Sequence, residues 1–272
     1  GWKADPELFW SKAAQSIDWF TPYDRVFEPD SGAYGRWFAG ATTNTCYNCL
    51  DRHVERGRAT QPAIICDSPI TGTQKTYSYG ELLTEVQALA GVLQDHGIGK
   101  GDRVIIYMPM IAEAIMAMLA CARLGAIHSV VFGGFAGHEL ATRIDDATPK
   151  MIIAASCGIE PNRIVPYKPM LDEAISLSVH KPEKCLLLQR EQHRAEMIDG
   201  RDVDMARAMD ASRIAARDIA CTPVKAEDPL YILYTSGTTG QPKGVVRDNG
   251  GHMVALHWSM KAIYDINPGE VF

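Results

Sequence analysis

The sequence predicts an α/β fold, a mostly parallel sheet flanked by helices, and two observations carry that prediction. From about residue 61 onward, short apolar runs rich in β-branched residues alternate with stretches of helical periodicity, as repeated strand–helix–strand units require. One helical stretch, 112–124, is apolar almost all round, which implies burial against a sheet. A chain of 272 residues with 46% hydrophobic residues can also take roughly three quarters of its unfolded surface out of water, enough for an enzyme-sized core.

The first 60 residues are different. They are rich in Trp, Tyr, Phe and Pro at irregular spacing, with few strand-like runs, and predict an aromatic extension over the larger unit 61–272, with the boundary near Gln61 and Pro62. Trp37, Phe38 and Tyr47 are assigned to packing within it. Beyond the boundary, Ser78 and Glu81 stand at capping-box spacing, and Leu82, Val86, Leu89 and Leu93 repeat along one helical face until Gly97. A strand is expected at 104–107, the helix at 112–124, a strand at 127–132, the Gly133-Gly134 punctuation, and a helix at 139–147. A strand at 151–155 then leads into a polar, Pro-bearing loop. Helices at 170–177 and 203–217 and strands at 185–188 and 230–234 complete the series.

Composition narrows the function classes. Acidic residues outnumber basic ones by 33 to 27, so no broad positive field invites nucleic acid or an anionic membrane, and anionic ligands must be captured locally. No apolar run reaches the roughly 18 to 20 residues of a bilayer span. Seven scattered cysteines do not form a dense disulfide framework and predict a reducing compartment, bacterial cytoplasm with mitochondrial matrix as the alternative. The sequence starts without Met and stops at Val271-Phe272, which read as the opening of an unfinished strand, so an N-terminal fragment of a longer protein is expected.

The stretch 234–244, Tyr-Thr-Ser-Gly-Thr-Thr-Gly-Gln-Pro-Lys-Gly, carries the chemistry. It sets three glycines, hydroxyl side chains and one lysine directly after an apolar strand, a composition suited to phosphate: glycines let backbone N–H groups turn inward, hydroxyls donate, and Lys243 brings a mobile charge. A nucleoside-triphosphatase P-loop needs Gly-Lys-Ser/Thr opening a helix. Here Pro242 precedes Lys243, and Gly244-Val245-Val246 continues as a strand, so that class is excluded.

These residues resemble the signature of the adenylate-forming superfamily, which includes acyl-CoA synthetases, peptide-synthetase adenylation domains and luciferases. Residues 44–53, Asn-Thr-Cys-Tyr-Asn-Cys-Leu-Asp-Arg-His, and residues 118–135 resemble the acetyl- and propionyl-CoA synthetases, so the likeness covers nearly the whole chain. Arg247-Asp248 and the loop Ser156-Cys157-Gly158-Ile159-Glu160-Pro161-Asn162-Arg163 look most similar to the propionyl type.

The resemblance implies the first half of the large N-terminal domain of an acyl-CoA synthetase. It also implies a reaction in two steps: ATP and a short-chain carboxylate form an acyl-adenylate and pyrophosphate, then the thiol of CoA displaces AMP. By the same likeness Thr235, Ser236, Gly237, Thr238, Thr239, Gly240 and Lys243 hold the ATP phosphates, Lys243 acts catalytically, and Mg2+ accompanies the phosphates. Phe132, Gly133, Gly134, Glu160, Pro161, Asn162 and Arg163 line the CoA site. Where acetyl-type enzymes present two arginines, the first position here is Glu160, so the phosphate contact is carried to Arg163 alone.

The likeness further implies that the adenine and ribose elements, the acidic magnesium ligand, most of the acyl pocket and a C-terminal lysine lie downstream. Little or no turnover is therefore expected of this chain alone. Two other readings stay open, an acetyl-CoA synthetase and a non-catalytic nucleotide- or CoA-binding module. No metal site is assigned: Cys46 and Cys49 form a C-x-x-C with His53 nearby, but no second half-site follows at zinc spacing. His128, inside an apolar run, reads as a hydrogen-bonded core residue rather than a base.

Overall fold

The computed structural model describes residues 3–235 and 242–272. The extension is a set of short elements on irregular connections. Helix α1 (Pro6–Ala14) starts at Asp5, whose carboxylate accepts from the Leu8 amide at 3.0 Å. Strands β1 (Arg25–Glu28) and β2 (Arg36–Ala39) pair antiparallel, and β3 (Thr42–Thr43) leads into helices α2 (Thr45–Cys49) and α3 (Asp51–His53). Its aromatic residues pack on one another: Trp37 lies 4.4 Å from Phe27 between ring centroids, Phe38 is buried against Trp19 and Tyr23, and Tyr47 meets Phe20 edge-on. The packing role expected of Trp37, Phe38 and Tyr47 is what these contacts describe.

Asn44 ties the extension to the body. Its side-chain oxygen accepts from the Tyr47 amide and starts α2, while its Nδ2 donates to the carbonyls of Ala122 and Thr222 at 2.8 Å. A buried side chain thereby satisfies backbone acceptors of a helix end that water does not reach.

The body begins with a hairpin, β4 (Pro62–Ser68) and β5 (Thr73–Ser78), which the sequence reading did not anticipate. Helix α4 (Tyr79–Asp95) follows with the capping box in place: the Glu81 amide donates to Ser78 Oγ at 3.2 Å, and the Ser78 amide donates to Glu81 Oε2 at 2.8 Å. Leu82, Val86, Leu89 and Leu93 are buried, as their spacing predicts. Then come β6 (Arg103–Met108), α5 (Ala112–Leu124), β7 (Ile127–Phe132), α6 (Gly137–Ala147) and β8 (Met151–Ala155). A second hairpin, β9 (Cys157–Glu160) and β10 (Arg163–Pro166), precedes α7 (Tyr167–Leu177), β11 (Lys184–Leu188), β12 (Asp202–Asp204) and α8 (Met205–Ala215). Last are β13 (Val224–Lys225), β14 (Pro229–Thr235), β15 (Lys243–Asp248) and α9 (Gly250–Ala262).

Seven strands form one sheet in the order β12-β11-β8-β6-β7-β14-β15, parallel throughout except for β15, which returns antiparallel to β14. Helices α4, α5 and α8 group together, as do α6 and α7. Val104, Ile105, Ile106 and Tyr107 are fully buried, so both faces of the central strand β6 are closed.

Three expectations change in detail. The polar loop after β8 is the β9–β10 hairpin, because Ile159, Ile164 and Val165 are β-branched and Pro161-Asn162 turns the chain. Helix α7 starts at Tyr167 rather than Met170, since Pro169 falls in the first turn, where its missing N–H costs nothing. Val203 belongs to β12. Helix α8 begins after Asp204, whose carboxylate accepts from the Arg207 amide at 3.0 Å.

Candidate active site

The strand order reverses direction at β6: β7 adds on one side, and the chain then crosses to place β8 on the other. Open parallel sheets bind ligands in the crevice at the carboxyl ends of strands beside such a switch. The turn after β7, the hairpin after β8 and the Thr235 and Lys243 ends of β14 and β15 lie at that edge.

Tyr107 and Tyr167 build the first two. The Tyr107 hydroxyl donates to the Phe135 carbonyl at 2.9 Å and accepts from the Gly134 amide at 3.2 Å, fixing the turn. The Tyr167 ring lies 5.2 Å from that of Tyr107 and is almost fully buried. A Cβ on Gly133 would stand 2.3 Å from Tyr167 Cε2, and one on Gly158 2.1 Å from the Tyr167 hydroxyl oxygen. One phenol ring thus locks the turn and the hairpin together, and glycine at both positions makes room for it. Burial holds the Tyr167 phenol above its ordinary range and pushes Tyr107 up to about 12, so both stay protonated near neutrality.

The sequence-predicted CoA residues lie together here. Phe132 is 65% exposed, Gly134 is exposed with φ of 101°, and buried Gly133 gives its space to Tyr167. Glu160, Pro161, Asn162 and Arg163 form the exposed tip of the hairpin. Arg163 Nε donates to Glu160 Oε2 at 2.7 Å and its Nη2 to Oε1 at 3.3 Å. This pair holds the Glu160 carboxyl below its usual range. Glu160 is therefore the counter-ion of Arg163.

On the neighbouring strand, Thr235 opposes Lys243 across the β14–β15 pair, and the Lys243 side chain is exposed at the start of β15. The strand-like continuation expected after Lys243 is present. Ser236, Gly237, Thr238, Thr239 and Gly240 lie outside the described residues. Tyr234, one residue before Thr235, donates to Asp146 Oδ2 of α6 at 2.5 Å, which together with burial raises its phenol pKa. Arg143 of α6 places its guanidinium 4.9 Å from the Phe135 ring and 5.6 Å from that of Tyr234. Arg143 and Asp146 thus brace Tyr234, near the end of β14, against the turn after β7. Neither was singled out from sequence, since no local motif marks them.

Three other features picked out in the sequence can be placed. His128 is buried, and burial pushes its imidazole down to about 4, but its Nδ1 has no hydrogen-bond partner among the described residues, and its ring packs on Tyr231 instead. It is a core residue without the hydrogen bond expected. Asp248, singled out beside Arg247, accepts from the His252 amide at 2.8 Å at the start of α9, which gives it a structural task. Of the C-x-x-C pair, Cys46 is buried and Cys49 exposed. The Cys46, Asp51 and Cys221 donor atoms do converge, all within 4.8 Å of one another.

Comparison with known proteins matches this geometry. The acetyl-coenzyme A synthetase N-terminus family matches residues 2–49, and the AMP-binding enzyme family matches residues 50–272. The chain is 52% identical over 269 residues to acyl-CoA synthetase short-chain family member 3, mitochondrial, of Homo sapiens, which takes in 98% of this chain and 39% of that protein. It is 45% identical over 271 residues to the propionate–CoA ligase of Escherichia coli, covering 98% of this chain and 42% of that one. The solved structure of acetoacetyl-CoA synthetase from Streptomyces lividans shares the fold, with a TM-score of 0.86 at 24% identity over 98% of this chain and 40% of that chain. The chain spans about two fifths of the length of these relatives. With the whole seven-stranded sheet and residues 50–272 inside the matched region, and with residues 2–49 matching the acetyl-coenzyme A synthetase N-terminus, this chain belongs to the AMP-binding enzyme family.

Proposed function

We propose that the protein containing this chain is an ATP-dependent, AMP-forming ligase that joins a short-chain carboxylate, propionate by preference, to coenzyme A. The observation that carries this reading is that Thr235, ending β14, and Lys243, opening β15, stand at the same edge of the sheet as the Phe132–Phe135 turn and the Glu160–Arg163 tip. Two ligands must meet at a single crevice for the acyl group to pass from phosphate to thiol. The named relatives, one a propionate–CoA ligase, support the same class.

A carboxylate resists attack until one oxygen is made part of a leaving group, so the residues that matter are those that hold the charge developing on pyrophosphate. Thr235, Ser236, Gly237, Thr238, Thr239 and Gly240 take the phosphates, and Lys243 at the exit of the connection neutralises the departing group. Phe132, Gly133 and Gly134 present the turn to CoA, and Arg163 leaves Glu160 to meet a CoA phosphate, with Pro161 and Asn162 shaping the tip. Mg2+ enters on the nucleotide phosphates. The nearby carboxylate of Asp146 is engaged by Tyr234, so no protein ligand for the ion is assigned here.

Residues 1–60 serve as the extension and 61–272 as the first half of the adenylation domain, in bacterial cytoplasm or the mitochondrial matrix. None of the described helices is long and apolar enough to cross a membrane.

The test is pyrophosphate release by the full-length protein with acetate, propionate and butyrate. Propionate is expected to be fastest, and a clear preference for acetate would overturn the substrate assignment in favour of an acetyl-CoA synthetase. Lys243→Ala is expected to slow adenylation roughly 10²- to 10³-fold; an unchanged rate would remove Lys243 from the catalytic set. Binding of ATP and CoA in calorimetry without any pyrophosphate release would leave a binding module instead.

A further inference from the structure

We infer that Cys46 and Cys221 form a thiol pair that a peroxide oxidises to a disulfide, stapling the N-terminal extension to the body of the domain. This inference is independent of the substrate assignment. The two residues stand 175 positions apart, yet their sulfurs and an Asp51 carboxylate oxygen all lie within 4.8 Å of one another. Neither thiol reached its place by chance of side-chain rotation, because both backbones are pinned.

On one side, Asn44 caps α2 and holds Cys46 against the end of α5. On the other, the Thr222 amide donates to the Arg123 carbonyl at 2.8 Å, and Arg123 Nε donates to the Ile219 carbonyl, which fixes the connection carrying Cys221. Arg123 then joins the two sides. Its guanidinium donates to both Asp51 oxygens at 2.9 Å and lies 3.6 Å from Cys46 Sγ.

This arrangement disfavours a metal. Asp51 is taken up by a bidentate guanidinium, and a cation seated among the three donors would have to displace it or lie beside a fixed positive charge. It favours sulfur chemistry. Cys221 is the partly exposed member, its thiol donates to Asp51 Oδ2 at 3.6 Å, and it meets an oxidant first. Cys46 is fully buried and in contact with Arg123, whose charge stabilises a thiolate as it forms. At rest, the hydrogen bond with Cys221 and burial hold the Cys46 thiol well above the ordinary cysteine range, so the pair is stable until an oxidant arrives.

The chemistry balances with hydrogen peroxide as oxidant. Cys221 passes its proton to Asp51 and attacks one peroxide oxygen. The O–O bond breaks, and the departing hydroxide takes that proton as water, leaving a sulfenic acid. Cys46 sulfur then attacks Cys221 sulfur. The S–O bond breaks, hydroxide leaves with the Cys46 proton as the second water, and the S–S bond is made. Two thiols lose two electrons, and one peroxide becomes two waters.

Treating the full-length protein with hydrogen peroxide and digesting it without reductant is expected to yield the Cys46 and Cys221 peptides joined with the loss of two hydrogens, separable by dithiothreitol. The thermal midpoint is expected to rise by roughly 5–10 °C, because the bridge closes a long loop that contains the central strands. Cys221→Ser, at the partly exposed position, is expected to fold normally, to lose both effects and to leave Cys46 reduced. A Cys46–Cys49 bridge, Cys221 sulfinate without a cross-link, or two free thiols after peroxide would each overturn the inference. So would zinc retained at one ion per chain through dialysis and lost on Cys221→Ser, which would make the three groups a metal site.

Discussion

The carboxyl edge of the sheet and the seam beneath the N-terminal extension each set an arginine against a carboxylate, and they do so in opposite ways. At the edge, Arg163 and Glu160 have side chains 70% and 51% exposed. At the seam, Arg123 and Asp51 are 2% and 14% exposed. Water and salt screen the first pair, which makes its partners exchangeable at little cost. In the second the guanidinium is buried, so its partners are held once the chain has folded. An exposed hairpin tip and a seam between two segments use the same two functional groups, and burial decides how readily the partners can exchange.

The most forceful way to break this contrast is Arg123→Ala. It would leave Asp51 without its partner in a place where solvent cannot replace the guanidinium, and free the Ile219 carbonyl as well. A loss of about 3–5 kcal/mol is expected from removing one member of a buried pair, read as a lowered denaturant midpoint of the full-length protein. A loss below about 1 kcal/mol would mean that water can take the place of the buried guanidinium, and the contrast would fail.

Strand β7 carries the same gradient of exposure along its own length, from buried His128 to Phe132 at its open end. Burial pushes the folded-state pKa of His128 down to about 4, against about 6.5 in an unfolded chain. Between those values the unfolded chain binds a proton that the folded one refuses. The stabilisation is therefore complete above pH 6.5 and lost as pH falls toward 4, by about 3 kcal/mol for this residue. His53, held down to about 4 chiefly by burial, acts in the same direction. Denaturant midpoints between pH 7.5 and 5 should fall steadily, with a shallower slope in His128→Phe. An unchanged slope would show that His128 takes up its proton without unfolding.

These sites differ in how much of them the sequence discloses. The capping box at Ser78, the buried face Leu82-Val86-Leu89-Leu93 and the strands of the central sheet carry local signals, because each is set by spacing within a few residues. So is the glycine- and hydroxyl-rich connection before Lys243. The β9–β10 hairpin was hidden by polar, Pro-bearing composition that reads as loop, although Ile159, Ile164 and Val165 were in view. Tyr167 as the lock between Gly133 and Gly158, Arg143 as the brace on Tyr234, and the meeting of Cys46 with Cys221 depend on strand order. No window of sequence records which elements the sheet brings together. Glycine at 133 could be read as space for a ligand, and only the fold shows the space filled by a phenol ring.

The smallest effect on folding, and the sharpest use of the contrast, is expected at the exposed pair. Arg163→Ala removes a side chain whose contacts are already shared with water, so the unfolding midpoint should not move measurably. If Arg163 serves an anionic ligand, the KM for CoA should nevertheless rise several-fold with kcat little changed, because the lost contact is made equally before and during reaction. Glu160→Gln separates binding from packing. It keeps the shape of the hairpin tip but removes the charge that holds Arg163, so CoA should bind more tightly than in the unaltered protein, and the difference should shrink as salt is raised. Weaker binding in Glu160→Gln would mean that the carboxylate orients Arg163 for the ligand rather than competing with it, and the exposed pair would then be as fixed in its purpose as the buried one.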